Sequence, residues 1–194
     1  MRSPPAILIL AAGASTRMRG SDKLLEEVDG TPLILRATRA ALGVADQVIV
    51  ALPPASHRRA WLGDTAATLV EVGDRAMSAS IRAGVAACTA DALLIHLADM
   101  PEIDATALAT VSSAWMAGHA PVLRATDADG APGQPVVFDR NLFAELTDLA
   151  GDTGARDVIA RHGVDTCALI GRAATTDLDT PEAWAAWRAA NPSR

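Results

Sequence analysis

Four short, largely apolar runs constrain the fold of this chain more than any other feature: Ala6–Ala11, Gln47–Leu52, Thr68–Val72 and Ala92–Leu97. A strand with one wet face alternates apolar and polar residues, whereas a strand buried on both faces reads as a continuous apolar run. The segments between these runs have helical character. Pro32 suits the first turn of a helix reaching to about Leu42. Ser78–Ala90 is rich in alanine and sets Ile81, Val85 and Cys88 along one stripe. Asp104 stands where an N-cap for Ala105–Ala117 is needed, and Gly118 where that helix should stop. Strand alternating with helix predicts an α/β fold with one doubly wound, mostly parallel sheet and helices on both faces. In such a sheet ligands bind at the carboxyl ends of the strands.

The second half is less regular. Pro121–Ala125 and Gln134–Phe138 read as strands around a polar turn, Thr126–Gly133. Asn141–Leu149 and Thr153–Arg161 read as helices, Val164–Ile170 as a strand, and Pro181 opens a last helix ending near Ala190. There is no internal repeat and no linker, so 1–194 is expected to be a single domain, a length ample for one core.

The net charge of -6, the absence of Tyr and the four scattered Trp argue against a nucleic-acid binder. No stretch approaches the roughly 18 apolar residues of a spanning helix, and the N-terminus lacks a signal-peptide pattern. Cys88 and Cys167 lack C-x-x-C spacing and are expected to be buried free thiols in a reducing cytoplasm. His96, inside an apolar run, is expected to be a packed core residue; His57, His119 and His162 carry no assignment.

The first strand runs into A-A-G-A-S-T-R-M-R-G-S-D-K, residues 11–23, which gathers Arg17, Arg19 and Lys23 around two glycines. Lys23 is the one lysine in a chain with sixteen arginines. A compact ammonium there suits a phosphate, which a broad guanidinium contacts differently. Gly13 permits close backbone approach to an anion. Two familiar phosphate loops fail to match. Gly13 and Gly20 are too far apart for G-x-x-x-x-G-K-[ST], and Leu24 follows Lys23; G-x-G-x-x-G fails because only Gly13 lies in the turn.

What remains, L-A-A-G-x-S-x-R-M-x-G-x-D-K, resembles the signature loop of the MobA-like NTP transferase superfamily. Other segments agree in order. M-S-A-S-I-R-A-G-V (77–85) resembles the family's helix start, and L-A-D-M-P-E-I (97–103) its metal-binding segment. G-Q-P-V-V-F (133–138) with G-D-T-G-A-R (151–156) resembles the branch of molybdenum-cofactor cytidylyltransferases, and D-L-D-T-P-E-A-W (177–184) the family's closing motif.

The resemblance implies a nucleotide-diphospho-sugar transferase fold and a reaction. An acceptor phosphate attacks the α-phosphorus of an NTP and pyrophosphate leaves. It implies catalytic roles for Arg17, Lys23 and Asp99, with Mg²⁺ held by Asp99 and Asp179 and with Asp177 behind them. It implies a nucleotide site made of Leu10, Ala11, Ala12, Gly13, Ser15, Arg17, Lys23, Ser80 and Gly84, and an acceptor site that includes Gln134 and Pro135. The chemistry is consistent with this: joining two anions is mostly charge neutralisation and in-line positioning, and Mg²⁺ takes oxygen ligands. Ser78 and Ser80, at a helix start, would ordinarily be capping residues. Arg82, one turn in, either makes a salt bridge or faces the acceptor.

The expected donor is CTP, with GTP as the alternative, because the loop R-M-R-G-S-D-K is one residue longer than the cytidylyl pattern. Arg19 either adds a phosphate contact or points to solvent. The expected acceptor is molybdopterin or its molybdenum-loaded form, and a transient molybdoenzyme partner would receive the product. Two rivals stay open: a sugar- or polyol-phosphate nucleotidyltransferase of the same fold, and a nucleotide-binding regulator or cofactor-insertion chaperone without turnover.

Overall fold

Ala6–Leu10 forms the central strand, β1; its first four residues are buried, and both its neighbours run parallel to it. The computed structural model describes residues 2–74, 76–151 and 154–192. β1 is followed by a two-stranded hairpin, β2 (Glu27–Val28) and β3 (Thr31–Pro32), and by α1 (Leu33–Leu42). Then come β4 (Val48–Leu52), β5 (Thr68–Glu71), α2 (Met77–Ala87), β6 (Ala92–Leu97) and α3 (Ala105–Ala117). β7 (Val122–Thr126) and β8 (Pro132–Asp139) precede α4 (Phe143–Thr147), α5 (Arg156–Arg161), β9 (Val164–Ala168) and α6 (Pro181–Ala190).

Seven strands make one sheet in the order β5-β4-β1-β6-β8-β7-β9. Only β8 runs against its neighbours; the pairings of β1 with β4 and β6, of β4 with β5, and of β7 with β9 are parallel. The sheet is doubly wound and mostly parallel, as the apolar runs predict. On one face Ile7, Ile9, Val50 and Leu94 pack with Ile34 of α1 and with Leu108, Val111 and Trp115 of α3. On the other, Leu8, Ile49, Leu93 and Phe138 pack with Ile81 and Val85 of α2, Leu146 of α4 and Val158 of α5. Burial of the strands falls off at the two edges, β5 and β9.

Capping explains two helices that sequence delimits to the residue. The Asp104 carboxylate accepts from the Ala107 N–H at 2.9 Å, and Gly118 closes α3. The Thr180 hydroxyl accepts from the Ala183 N–H at 3.1 Å, with Pro181 in the first turn of α6. Elsewhere the structure corrects the expectations. Pro32 is not in the first turn of α1; it pairs with Glu27 across a tight Asp29-Gly30 turn, where both residues have positive φ. Ser78 and Ser80 cap nothing, because α2 begins at Met77 and has no side-chain cap. The predicted helix 153–161 is α5, shorter at its start, and Thr153 lies outside the described residues.

A third, smaller cluster joins α6 to the loop after β1. Trp184 and Trp187 pack with Leu178, with Met18 of the loop, and with Val28 and Leu33 of the hairpin region. No helix among the described residues is long and apolar enough to cross a membrane. Cys88 and Cys167 are buried free thiols, as expected, and burial pushes both thiol pKa values up.

His96 is fully buried in β6, and neither ring nitrogen finds a hydrogen-bond partner among the described residues. Burial alone pulls its pKa from 6.5 down to about 4. The unfolded chain therefore takes a proton below the ordinary histidine value that the folded chain refuses until much lower pH. This contribution to stability is complete above that ordinary value and is lost as pH falls towards 4, a swing of about 3 kcal/mol. Denaturant titrations of the wild type and His96→Leu at pH 7 and 4.5 check this: the variant should lose markedly less stability on acidification. Equal losses would contradict it.

Candidate active site

The loop that follows β1 is shaped by left-handed turns. Ser15 and Arg19 both have φ of 52°, flanking a single 3-10 turn over Thr16–Met18, and Gly20 follows at φ 102°. Gly20 adopts this conformation without cost, while Ser15 and Arg19 need support from their surroundings. Two sets of contacts supply it. On one side Met18 is buried among the α6 tryptophans, and the Arg19 guanidinium pairs with Glu182 at 2.5 Å. On the other side the buried Arg58 reaches across from the segment after β4. It grips both oxygens of Asp22 at 2.6 and 2.8 Å and the carbonyl oxygens of Ala11 and Gly13 at 2.6 and 2.9 Å. Burial alone would raise the Asp22 pKa, but the Arg58 contacts outweigh it and hold the carboxyl below its ordinary value.

These two supports differ in weight. Arg19 and Glu182 are 74% and 63% exposed, a class of pair worth about 0–1 kcal/mol. Arg58 and Asp22 are 5% and 13% exposed, and breaking a buried pair by removing one partner costs about 3–5 kcal/mol. Sequence reasoning missed Arg58, which sits in a run, His57-Arg58-Arg59, that looks like solvated surface. Asp22 was visible in the motif but carried no role.

Within the loop so held, the N–H groups of Ala12, Gly13 and Ala14 donate to no acceptor among the described residues. Beside them Lys23 is drawn inward. Its ammonium donates to Asp99, just past the end of β6, and to Asp179 at 2.6 Å, just before α6. Arg17 meets the other oxygen of Asp179 at 2.6 Å. Burial disfavours the charge on Lys23, but the two carboxylates outweigh it and its pKa rises. Burial likewise works against charge on Asp179, and Lys23 and Arg17 reverse it so that its pKa falls. Asp177 has no such rescue: burial, then the neighbouring Asp179 and Asp99, push its carboxyl up.

A cavity of about 330 Å³ opens over this group, lined among others by Leu10, Ala12, Gly13, Ser80 and Asp177. It gathers Arg17, Lys23, Asp99 and Asp179, the expected catalytic and metal-binding residues, at the carboxyl ends of β1 and β6. Leu10, Met77 and Leu97 are shared with a second cavity of about 210 Å³ beyond β6. Gln134 lines that second cavity with Arg124 and Arg156, and the Gln134 side-chain carbonyl is buried without a partner among the described residues. Neither arginine has a carboxylate partner among the described residues; Arg124 donates to the Gly133 carbonyl at 3.1 Å, and burial followed by the charge of Arg156 depresses its pKa. Sequence reasoning did not select Arg124. A larger cavity, about 520 Å³, lies on the Arg58 side of the loop and contains none of Arg17, Lys23 or Asp99.

Several expected residues stand elsewhere. Ala11 packs into the core on the α1 face. The Ser15 hydroxyl works inside the loop, accepting from the Lys23 N–H at 3.3 Å and donating to Asp22 at 3.2 Å. Pro135 follows Gln134 through a cis peptide and does not line either cavity. Arg82 has no carboxylate partner among the described residues and turns from the cavities to the Leu149 carbonyl and the Ser78 hydroxyl. Gly84 is a packing residue, for a Cβ there would lie 2.2 Å from Leu8 Cδ2. Gly84→Ala should therefore lower stability by about 1–3 kcal/mol through overpacking, read as a drop in Tm. An unchanged Tm would show that α2 can back away from β1.

Could the site hold a divalent cation? Asp99 Oδ1 is buried with no hydrogen-bond partner among the described residues, an oxygen available to a ligand. Among the described residues no group of three or more His, Cys, Asp or Glu is arranged as a metal cage. That suits a cation such as Mg²⁺, which commonly takes one or two carboxylates and completes its shell with phosphates and water. Asp99 and Asp179 fit that description.

The model of the MobA-like NTP transferase domain matches residues 7–166. A molybdenum cofactor guanylyltransferase of Pseudomonas paraeruginosa is 32% identical over 184 residues, covering 92% of both chains. The crystal structure of Rv0371c from Mycobacterium tuberculosis, in complex with manganese, superposes with a TM-score of 0.79 at 27% identity, covering 95% of this chain and 97% of that one. The molybdopterin-guanine dinucleotide biosynthesis protein A of Archaeoglobus fulgidus shares the fold, with a TM-score of 0.73 at 14% identity over 97% of this chain and 100% of that one.

Proposed function

Because the chain belongs to the MobA-like NTP transferase family, we propose that it transfers a nucleoside monophosphate from an NTP to a phosphorylated acceptor, with GTP as donor and a molybdopterin-type compound as acceptor. The observation that carries this reading is the 330 Å³ cavity, where the Ala12 and Gly13 N–H groups, without an acceptor among the described residues, two cations and three carboxylates converge. That set matches the needs of phosphoryl chemistry, in which charge neutralisation and alignment do most of the work.

In the ligand-free protein the cations and carboxylates neutralise one another. A triphosphate offers anionic oxygens to the same ammonium and guanidinium, so on this reading Lys23 and Arg17 exchange their carboxylates for phosphates. The N–H groups of Ala12 and Gly13 and the Ser80 hydroxyl serve the nucleotide end. A divalent cation held by Asp99 and Asp179, Mg²⁺ or Mn²⁺, would supply positive charge against the phosphates. An oxygen of the acceptor phosphate attacks the α-phosphorus, a new P–O bond forms, and the bond to the bridging oxygen breaks with that electron pair leaving on pyrophosphate. Lys23 and Arg17 stabilise the charge that grows there. Arg124 and Arg156, across Leu10, Met77 and Leu97, would hold the acceptor's anionic group, and Gln134 its polar edge.

The donor base rests on relatives. Guanylyltransferases that match over most of their own length favour GTP over the CTP expected from sequence. A second reading, CTP, is kept because G-Q-P-V-V-F and G-D-T-G-A-R resemble the cytidylyl branch. Pyrophosphate release with molybdopterin, comparing GTP with CTP, decides between them. Release with neither would discard the acceptor.

Two further outcomes are expected in that assay. Lys23→Ala and Asp99→Asn should each lower kcat on the order of 10²-fold or more, and chelation should abolish release until Mg²⁺ or Mn²⁺ is restored. Full activity in either variant would remove the assignment. Arg124→Ala and Arg156→Ala should raise the KM for the acceptor about tenfold while the KM for the nucleotide holds. A selective rise in the nucleotide KM instead would exchange the two cavities.

A further inference from the structure

The buried guanidinium of Arg58 does more than close a turn. It takes the carbonyls of Ala11 and Gly13, so both of these oxygens face the Arg58 side of the loop. In a planar trans peptide the C=O and the following N–H point in opposite directions. The N–H groups of Ala12 and Ala14 must then point away from Arg58. These belong to the three consecutive donors that find no acceptor among the described residues. The same guanidinium holds Asp22 through two oxygens, and one of those oxygens also accepts the Leu24 N–H at 3.1 Å. Lys23, between Asp22 and Leu24, is clamped from both neighbours, and its own N–H is tied to Ser15.

From this geometry, and resting on the proposed nucleotide site, we infer that Arg58 is a positioning residue for nucleotide binding. Buried at 4% exposure and lining only the cavity on the opposite side of the loop, it orients the Ala12 amide and the Lys23 backbone, both at the proposed nucleotide cavity, without touching the nucleotide itself. All three guanidinium nitrogens are engaged, Nε by Asp22, Nη2 by Asp22 and Gly13, and Nη1 by Ala11, so the group is committed to the loop. Lysine cannot reproduce this, because an ammonium lacks the planar fork that spans a carboxylate and two carbonyls together. Neighbouring Arg59, half-buried and paired with Glu71, has no such reach.

The test is calorimetric binding of GTP and of CTP, each with Mn²⁺, to the wild type, Arg58→Lys and the control Arg59→Ala, with Tm recorded for each. Arg58→Lys should weaken nucleotide binding about tenfold or more in protein that remains folded, and Arg59→Ala should not. A role confined to stability would lower Tm and leave the affinity of the folded protein untouched; that result overturns the inference. Should Arg58→Lys fail to fold, hydrogen exchange of the wild type takes its place. The Lys23 and Leu24 amides should be protected roughly a hundredfold or more without nucleotide, and exchange at free-loop rates would overturn the inference. Wild-type binding of nucleotide without pyrophosphate release would strike the proposed reaction and leave the role of Arg58 standing.

Discussion

One ammonium joins stretches of chain that lie 76 and 156 residues apart: Lys23 reaches Asp99 at the end of β6 and Asp179 before α6. Without it, two carboxylates would share a half-buried pocket with a third, Asp177, already forced towards its neutral form. The charge balance at the mouth of the sheet depends on this one side chain. So does the arrangement of chain around it, because the 3-10 turn, the β6 end and the start of α6 all converge there. The cation is itself held in register by the Asp22–Arg58 grip on its neighbours. The site is thus built in two tiers, an inner cluster poised for exchange and an outer clamp that is already satisfied.

The distinction explains which contacts can be given up to a ligand. Arg17 is 68% exposed, and its pairing with Asp179 can be traded for a phosphate at small cost. Arg58 is enclosed, and its contacts run to backbone oxygens and a carboxylate that stay where they are. A loop that must receive a multiply charged ligand needs both kinds of contact, labile ones facing the ligand and fixed ones behind.

Much of this was legible in the sequence, and the reasons for the exceptions are physical. β1, β4 and β6 are buried on both faces, so their composition alone marks them. α3 and α6 carry explicit start signals at Asp104 and Thr180, and their limits read true. The β2–β3 hairpin escaped notice because two residues per strand leave no periodicity to detect, although Asp29-Gly30 is a turn signal. The resemblance implies a nucleotide role for Gly84, whereas the constraint the structure puts on it is the approach of α2 to Leu8. Arg58 could not be found from pattern: charge in a short surface-like turn looks the same whether it points out or in. Arg17, Lys23, Asp99 and Asp179 were chosen from resemblance, and the fold brings them together at one cavity.

The lone reversal of strand direction has a consequence for how such a chain can change. β8 joins the sheet against the run of β6 and carries Gln134 at its beginning, while Arg124 lies on the paired strand β7. The three parallel strands β5, β4 and β1 and the loop after them contain no part of that second cavity except Leu10. On the proposed reading, donor and acceptor are therefore read by separable modules. A hairpin and the short helix behind it can be rewritten by mutation to admit a new acceptor while the triphosphate machinery is inherited intact.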